Sequence, residues 1–333
     1  MAAATIPATE QMQAIVQRTY GGPDVLQPAT LDRPTIGAGE VLVQVRAAGL
    51  DRGTWHTMAG MPHAVRLGFG LRVPKALVPG IDVAGVVVAV GEGVTRLQVG
   101  DEVFGIARGS FAELAAAEEE KLALKPAALT FEQAAALPVS GITALQGLTD
   151  VGRLEAGQHV LVLGASGGVG TYAVQIAKAL GATVTGVASA AKADLVRSLG
   201  ADHVLDYASD DFAAGPVRYD LILDIGGNSS LKRLRRALTP NGTLAIVGGE
   251  EGGRWIGGFD RPFRALALSP FVGQRLAMVI AREHHDGLDR LAELAASGQL
   301  VPAIERTYPL REAAAAMAHL VAGNARGKLV LTV

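Results

Sequence analysis

A glycine-rich turn between an apolar strand and an amphipathic helix constrains the fold of this chain more than any other feature. The segment reads HVLVLGASGGVGTYAVQIAKALGA, and Gly164, Gly167 and Gly170 recur in it at every third residue. This spacing permits a tight turn, a close approach of backbone amides to a pyrophosphate, and close contact between helix and sheet. The helix N-terminus adds a partial positive charge. The segment therefore predicts a phosphate-binding turn, with a purely structural turn as the alternative.

The residues after His159 repeat this pattern of strand, turn and helix. The predicted strands are nearly continuous apolar runs: HVLVLGA, TVTGVAS, HVLDY, YDLILDI and GTLAIVGG. The first two are followed by predicted helices that end at Leu180 and Leu199. Continuous apolar strands that alternate with helices indicate a parallel sheet covered on both faces. We expect an α/β, doubly wound domain here.

The rest of the chain has a different pattern, which predicts a second domain built from both chain ends. The first third alternates in period two, as in EVLVQVRAAGL and VAGVVVAVGEGV, and predicts a mostly β domain. Thr130 and Gln133 form a candidate capping box, and Pro138 interrupts the helical run that follows. The C-terminal LVPAIERTYPL, a helix over 311–322 and GKLVLTV return to strand and helix. We predict domains at 1–138 with 284–333, and at 139–283.

Composition excludes several classes of partner. The net charge is -2, so we expect neither nucleic acid nor a membrane as a partner. The chain has no cysteine, which excludes disulfides and thiolate metal sites and suits a reducing cytosol. The first basic residue is Arg18, so the start lacks the charged head of a signal peptide. We therefore expect a cytoplasmic protein.

The end of the second predicted strand indicates which dinucleotide binds. NAD-selective proteins place an acid there, because a carboxylate accepts hydrogen bonds from the ribose hydroxyls. Here no Asp or Glu occurs between Glu155 and Asp194, and Ser189 and Lys192 follow the strand, with Tyr207 after the next. A hydroxyl and an ammonium suit a 2′-phosphate, so the cofactor is predicted to be NADPH. In the alternative, Lys192 is only a solvent-exposed residue at the start of a helix, and Tyr207 belongs to the core.

In combination, these motifs resemble the medium-chain dehydrogenase/reductase superfamily, in its zinc-free quinone oxidoreductase and enone reductase branch. The resemblance covers AIVQRTYGGPDVLQ, PGIDVAGVVVAVGEGVTRLQVGDEVFG, AAALPVSGITALQGL, GASGGVG, LGADHVLDY and ARGKLVLTV. It implies a GroES-like, β-rich catalytic domain, an inserted Rossmann domain, and NADPH bound in the cleft between them. The predicted cofactor-binding residues are Thr143, Ser166, Gly167, Gly168, Val169, Ser189, Lys192, Tyr207, Gly226, Val247, Gly248 and Gly249.

Departures from the zinc-dependent relatives are equally informative. Those relatives use cysteine and histidine ligands, whereas PGIDVAG places Ile81 and Asp82 at the usual His-Glu pair. The histidines show no metal-binding spacing, and we expect the His284–His285 pair on a solvated surface. No metal is therefore predicted.

Two residues near AAGLDRGTWHTMAG are candidates for catalysis. Asp51 stands where many relatives have an Asn associated with cofactor or substrate contacts, although Asp lacks the amide donor. His56 is the second candidate, with a structural or substrate-packing role as the alternative, because the sequence identifies no proton-relay partner.

Bulky apolar residues supply the predicted substrate pocket. Trp55 and Met58 are its first members, and the segment RWIGGFDRPFRALALSPFVGQR adds Phe259, Phe263 and Phe271. We predict this segment to be a loop, which acts either as an apolar lid or in a subunit interface. The resemblance implies a homodimer formed through edge strands, and QRLAMVIA is the candidate edge.

These features together predict a zinc-independent reductase of activated double bonds or quinones, with a small apolar conjugated carbonyl or quinone as substrate. NADPH carries the hydride chemistry, so the protein chiefly aligns the acceptor and stabilises enolate charge. One alternative is a zinc-free alcohol dehydrogenase or carbonyl reductase, which is less favoured because alcohol oxidation needs a metal or a base. The other is a non-catalytic NADPH-binding protein.

Overall fold

The computed structural model describes residues 11–249, 253–258 and 260–333. The chain forms two compact units, of which unit 1 comprises Met1–Val139 with Glu283–Val333 and unit 2 comprises Ser140–Arg282. Among the helices of the described residues, none combines the length and the apolar character needed to cross a bilayer.

The first part of unit 1 is mostly β structure, as its period-two pattern predicts. Alternate residues of the strand over 40–50 point into an apolar core, where Val41, Val43 and Val45 are almost fully buried. The elements in chain order are β1 (Gln11–Val16), β2 (Gln27–Asp32), β3 (Glu40–Leu50), α1 (Arg52–Ala59), α2 (Arg66–Phe69), β4 (Asp82–Val90), β5 (Glu102–Ile106), β6 (Leu114–Glu118), β7 (Leu122–Leu124) and α3 (Phe131–Ala135).

The predicted capping box starts α3. The Thr130 side chain accepts a hydrogen bond from Gln133 N–H, and the Gln133 side chain accepts one from Thr130 N–H. Pro138 begins the next helix, α4 (Pro138–Gln146), within which the chain passes from unit 1 to unit 2.

Unit 2 contains a six-stranded, all-parallel sheet. Its order is β10-β9-β8-β11-β12-β13, which reverses direction between β8 and β11 and is the arrangement of a doubly wound Rossmann sheet. The elements are β8 (His159–Leu163), α5 (Gly168–Ala179), β9 (Thr183–Ala188), α6 (Ala193–Ser198), β10 (His203–Asp206), β11 (Tyr219–Asp224), α7 (Leu231–Ala237), β12 (Leu238–Ile246), α8 (Asp260–Leu268) and β13 (Arg275–Met278).

The end of the chain returns to the β sheet of unit 1. Its elements are α9 (His285–Ala296), β14 (Ile304–Pro309), α10 (Ala313–Val321) and β15 (Lys328–Thr332). Strand β15 pairs antiparallel with β3, so that Leu329 lies opposite Leu50, and the sheet order is β14-β15-β3-β4-β5-β7 with β6 on β3.

One element differs from the sequence-based expectation. The segment predicted to be a loop contains α8, whose first residue is Asp260 and whose apolar Ala265 is buried. An acid at the positive end of the helix and an amphipathic pattern both favour this helix. The candidate edge QRLAMVIA does contain an edge strand, β13.

Candidate functional site

The glycine-rich turn has the geometry that a phosphate-binding turn requires. Gly164 adopts φ +84°, where a side chain would strain the backbone, and a Cβ on Gly170 would lie 2.1 Å from the Gly164 carbonyl oxygen. Gly167 is the N-cap of α5 and offers no side-chain acceptor to the first amides of that helix. Because these amides have no partner within the helix, they can bind an anion. Ser166 is buried, and Gly168 and Val169 form the first turn.

Two further loops meet this turn at the carboxyl edge of the sheet. Gly226 N–H donates to Leu163 O at 3.2 Å, and Val247 N–H donates to Asp224 O at 2.9 Å. The predicted cofactor residues Gly226 and Val247–Gly249 therefore follow β11 and β12, beside the glycine-rich turn after β8. Ligands of doubly wound sheets bind in this position, where the strand order reverses.

The predicted 2′-phosphate residues lie together at the ends of β9 and β10. Ser189 follows β9 directly, and its carbonyl oxygen accepts a hydrogen bond from Lys192 N–H at 2.9 Å. Tyr207 N–H donates to Ala188 O at 3.2 Å, which places Tyr207 beside the same strand end. The Tyr207 side chain is 67% exposed, so the alternative of a core tyrosine is wrong.

An acid that the sequence argument overlooked also lies at this edge. Asp206 is paired in register with Ala188, because β10 lies next to β9 in the sheet. Its Oδ1 atom accepts a hydrogen bond from Ala208 N–H at 3.1 Å, which holds the carboxylate against its own loop.

The other predicted contacts of unit 2 vary in exposure. Thr143 is half-buried on α4. Phe263 on α8 and Phe271 in the turn after it are 60% and 84% exposed, so both offer apolar surface. Phe259 lies outside the described residues.

A buried ion pair, absent from the sequence-based predictions, joins the two loops of this edge. Asp224 ends β11 with no exposed side-chain surface, and Arg261 in the first turn of α8 binds its carboxylate. Burial raises the pKa of Asp224, while the charge of Arg261 opposes that rise. Arg261 also lines a pocket of about 500 Å³, together with Gly227, Ser230 and Gly258. An Asp at the end of an apolar strand, before Gly-Gly, was the available signal.

In unit 1, Asp51 caps a helix. Its carboxylate accepts hydrogen bonds from Thr54 N–H at 2.8 Å and from the Thr54 hydroxyl at 3.1 Å, and the residue is 6% exposed. Both oxygens therefore stabilise the start of α1, a role that the Asp-x-x-Thr spacing allows. As a catalytic residue, Asp51 stays a prediction.

The nearby His56 and apolar residues have defined environments. His56 Nδ1 lies 2.7 Å from Met61 O, and since a carbonyl only accepts, that nitrogen carries the proton. Trp55 packs edge-on to the His56 ring and is partly buried against the core. Met58 is 0% exposed within the core, so it has no surface to offer a substrate.

The positions that carry zinc ligands in other relatives do not fit zinc. Asp82 is fully buried and bound to Lys328 Nζ at 3.1 Å, next to the apolar Ile81. In the described part of the chain, the one group that could hold a metal is His284, His285 and Asp286 at the start of α9. These side chains are partly or fully exposed, and both histidines pair with Asp286.

Family comparisons agree with this architecture. Residues 37–127 match the alcohol dehydrogenase GroES-like domain, and residues 199–331 match the zinc-binding dehydrogenase family.

Individual proteins resemble the chain over nearly its whole length. An Arabidopsis thaliana chloroplast envelope quinone oxidoreductase homolog is 31% identical, over 97% of this chain and 99% of its own. A chloroplastic NADPH-dependent alkenal/one oxidoreductase of the same species is 34% identical, over 98% of this chain and 81% of its own. A mycobacterial protein solved in complex with NADPH is 30% identical, with a TM-score of 0.83, over 97% of this chain and 100% of its own.

Proposed function

Because the chain belongs to the medium-chain dehydrogenase/reductase superfamily, in the branch of quinone and alkenal/one oxidoreductases, we propose that it is an NADPH-dependent reductase of α,β-unsaturated carbonyl compounds or quinones. The observation that supports this most is the carboxyl edge of the unit 2 sheet. There the uncapped start of α5, two glycine loops, and Ser189, Lys192 and Tyr207 are held on neighbouring strands.

The residues at this edge fit the parts of the cofactor. The first amides of α5 bind the pyrophosphate, and the absence of a side chain at Gly167 and Gly168 allows its close approach. Ser189 and Lys192 bind the 2′-phosphate, with the Tyr207 hydroxyl beside them. Gly226 and Val247–Gly249 border the rest of the cofactor, and Thr143 contacts it on the nicotinamide side. Bound NADPH supplies the hydride.

The protein's part in the reaction is to orient the acceptor and to stabilise charge. Conjugation makes the acceptor carbon electrophilic without a metal, and the negative charge develops on the carbonyl oxygen. Hydrogen-bond donors stabilise that charge, and they need not be strong acids. We propose Trp55, Phe263 and Phe271 as apolar contacts of the substrate. His56 is the catalytic candidate near it, and because its Nδ1–H is donated to Met61 O, its Nε2 can donate to the substrate oxygen only in the protonated imidazolium form.

Two alternatives predict different substrate profiles. An alcohol dehydrogenase or carbonyl reductase would act on saturated ketones, where the oxygen itself must be protonated as hydride arrives. A non-catalytic member of the fold would bind NADPH and turn over no acceptor. The buried, Lys328-bound Asp82 disfavours the zinc-dependent form of the first alternative.

A small acceptor panel separates these functions. NADPH oxidation is followed with an enone, a quinone and the corresponding saturated ketone. We expect turnover of the first two and little of the third. Turnover of the saturated ketone alone would support the carbonyl reductase, and tight NADPH binding with no turnover would support the non-catalytic protein.

We also propose a homodimer formed through strand β13. This strand is at the edge of the unit 2 sheet, and Ile280 just after it is 73% exposed. An unpaired parallel edge can add a strand from a second copy. Light scattering on a size-exclusion column would show twice the 34.3 kDa chain mass, and a monomer at micromolar concentration would contradict the proposal.

A further inference from the structure

Arg261 joins the two glycine loops of the candidate cofactor site with a single side chain. Its Nη1 atom donates to the Asp224 carboxylate and, at 3.0 Å, to Ser229 O in the loop after β11. Its Nη2 atom donates at 2.9 Å to Gly248 O in the loop after β12. The side chain is only 12% exposed. One guanidinium therefore bridges the ends of two adjacent strands.

Asp224 extends this bridge to the Gly226–Gly227 turn. Its Oδ1 atom accepts a hydrogen bond from Gly227 N–H at 3.0 Å, while its other oxygen binds Arg261. The Asp224 backbone carbonyl also accepts from Val247 N–H at 2.9 Å. The Asp224 and Arg261 side chains thus contact both loops, in addition to the backbone hydrogen bond between Asp224 and Val247.

The buried Asp224–Arg261 pair contributes little to the stability of the fold. Buried ion pairs gain little over apolar residues of the same size, because both charges lose their hydration. In addition, Arg261 Nε is buried without a hydrogen-bond partner in the described part of the chain. An unsatisfied buried donor costs stability. These costs favour a role in placing the loops rather than in holding the domain together.

Only an arginine has the donors for these contacts. Its planar fork reaches a carboxylate on one strand end and a carbonyl on the next, whereas a lysine ammonium is a compact charge on a flexible stem. The chain just before α8, the helix that carries Arg261, is held against the loop after β12. Gly249 and Gly258 pack so closely there that a Cβ on Gly258 would lie 2.5 Å from Gly249 Cα.

From this geometry we infer that Arg261 is a positioning residue for the cofactor: through Asp224 and Gly248 it sets the separation of the Gly226–Gly227 and Val247–Gly249 loops that NADPH contacts. The inference rests on the proposed NADPH function. Arg261 acts on the cofactor through the two loops that it holds.

The test separates loop placement from stability. Arg261→Met leaves the buried Asp224 carboxylate without its cation and should lower both stability and NADPH affinity. Adding Asp224→Asn removes this unpaired charge, so the unfolding midpoint in urea should recover. The NADPH dissociation constant should nevertheless stay at least tenfold higher than that of the unaltered protein, because no side chain then spans the loops. Arg261→Lys should give an intermediate affinity. Arg236→Met, which removes an exposed arginine paired with Asp211 in the same unit, is the matched control.

Amide hydrogen exchange in the cofactor-free protein gives a second readout. In the double variant, exchange at Gly226, Gly227 and Gly248 should be faster than in the unaltered protein. The inference is wrong if the double variant binds NADPH as tightly as the unaltered protein, or if exchange in these loops is unchanged. If the unaltered protein does not bind NADPH at all, the proposed function fails, and the exchange rates still decide whether Arg261 holds the loops.

Discussion

At the scale of single residues, the site depends on where charged residues and glycines are placed. Lys192 lies between β9 and α6, whereas Asp206, on the adjacent strand β10, is hydrogen-bonded within its own loop. The glycines at the start of α5 leave its first amides accessible. Cofactor preference should therefore respond to changes of one residue.

Lys192→Ala should weaken NADPH binding far more than NADH binding. A charge-assisted hydrogen bond to the 2′-phosphate contributes about 1.5–3 kcal/mol, which corresponds to roughly tenfold or more in affinity. Fluorescence titration with both cofactors measures this. Arg197→Ala on α6 is the control, since Arg197 pairs with the exposed Asp194. Equal dissociation constants for NADPH and NADH in the unaltered protein would contradict the 2′-phosphate assignment.

Gly168→Asp should abolish cofactor binding while the protein stays folded. The new carboxylate would face the pyrophosphate at the N-terminus of α5, where an acid also favours the helix itself. Calorimetric titration with NADPH and a thermal melt report the two effects. A variant that retains NADPH affinity would refute the assigned phosphate position.

Residue roles could be predicted only where local sequence determines them. The capping box of Thr130 and Gln133 is confirmed, because its spacing alone creates it. Asp51 also caps a helix, but it was predicted only as a site residue, because the family resemblance places an Asn at that position. Met58 was assigned to a pocket although it is in the core, because a helix of alternating polar and apolar residues does not show which face is buried.

At the scale of elements, a buried ion pair joins strands from opposite ends of the chain. Asp82 on β4 binds Lys328 on β15, and its second oxygen accepts a hydrogen bond from Val139 N–H at 2.9 Å. Burial raises the pKa of Asp82 to about 6, against the opposing charge of Lys328. The pair is 246 residues apart in sequence, so no local pattern predicts it.

Lys328→Met should lower the free energy of unfolding by about 3–5 kcal/mol, because it leaves a buried carboxylate without its cation. Without Lys328, the pKa of Asp82 should rise further above its unfolded value. The folded state then retains a proton that the unfolded chain has released, so the stability of the variant should fall as pH rises from 5 to 8. Urea unfolding at several pH values measures this.

The double variant Asp82→Asn, Lys328→Met is the control for that titration. It should recover part of the stability and lose the dependence on pH. An equally steep dependence in the double variant would assign the titration to another group.

Strands and helices with strong periodicity could be predicted, whereas elements fixed by tertiary contacts could not. The unit 2 strands and α5 follow from apolar runs and glycine spacing. The segment that contains α8 was predicted to be a loop because its glycines and aromatic residues resemble loop composition. In the structure, Gly258 packs against Gly249 just before the helix begins. The Arg261–Asp224 pair was missed for the same reason, since it depends on where α8 begins.

At the scale of the whole molecule, we predict catalysis without a metal. The chain has no cysteine, and Asp82 is engaged with Lys328. Activity with an enone should survive dialysis against a strong chelator, because a conjugated acceptor needs no Lewis acid. Stoichiometric zinc in the purified protein, with activity lost on its removal and restored on its return, would overturn this prediction.

The position of the transferred hydride distinguishes conjugate reduction from carbonyl reduction. An enone substrate is reduced with NADPH deuterated at the transferred position, and the product is analysed by NMR and mass spectrometry. We expect the saturated ketone with one deuterium at its β-carbon and no allylic alcohol, because the electron-poor end of the conjugated bond accepts the hydride. Deuterium on the carbinol carbon, with the double bond intact, would contradict it and establish a carbonyl reductase.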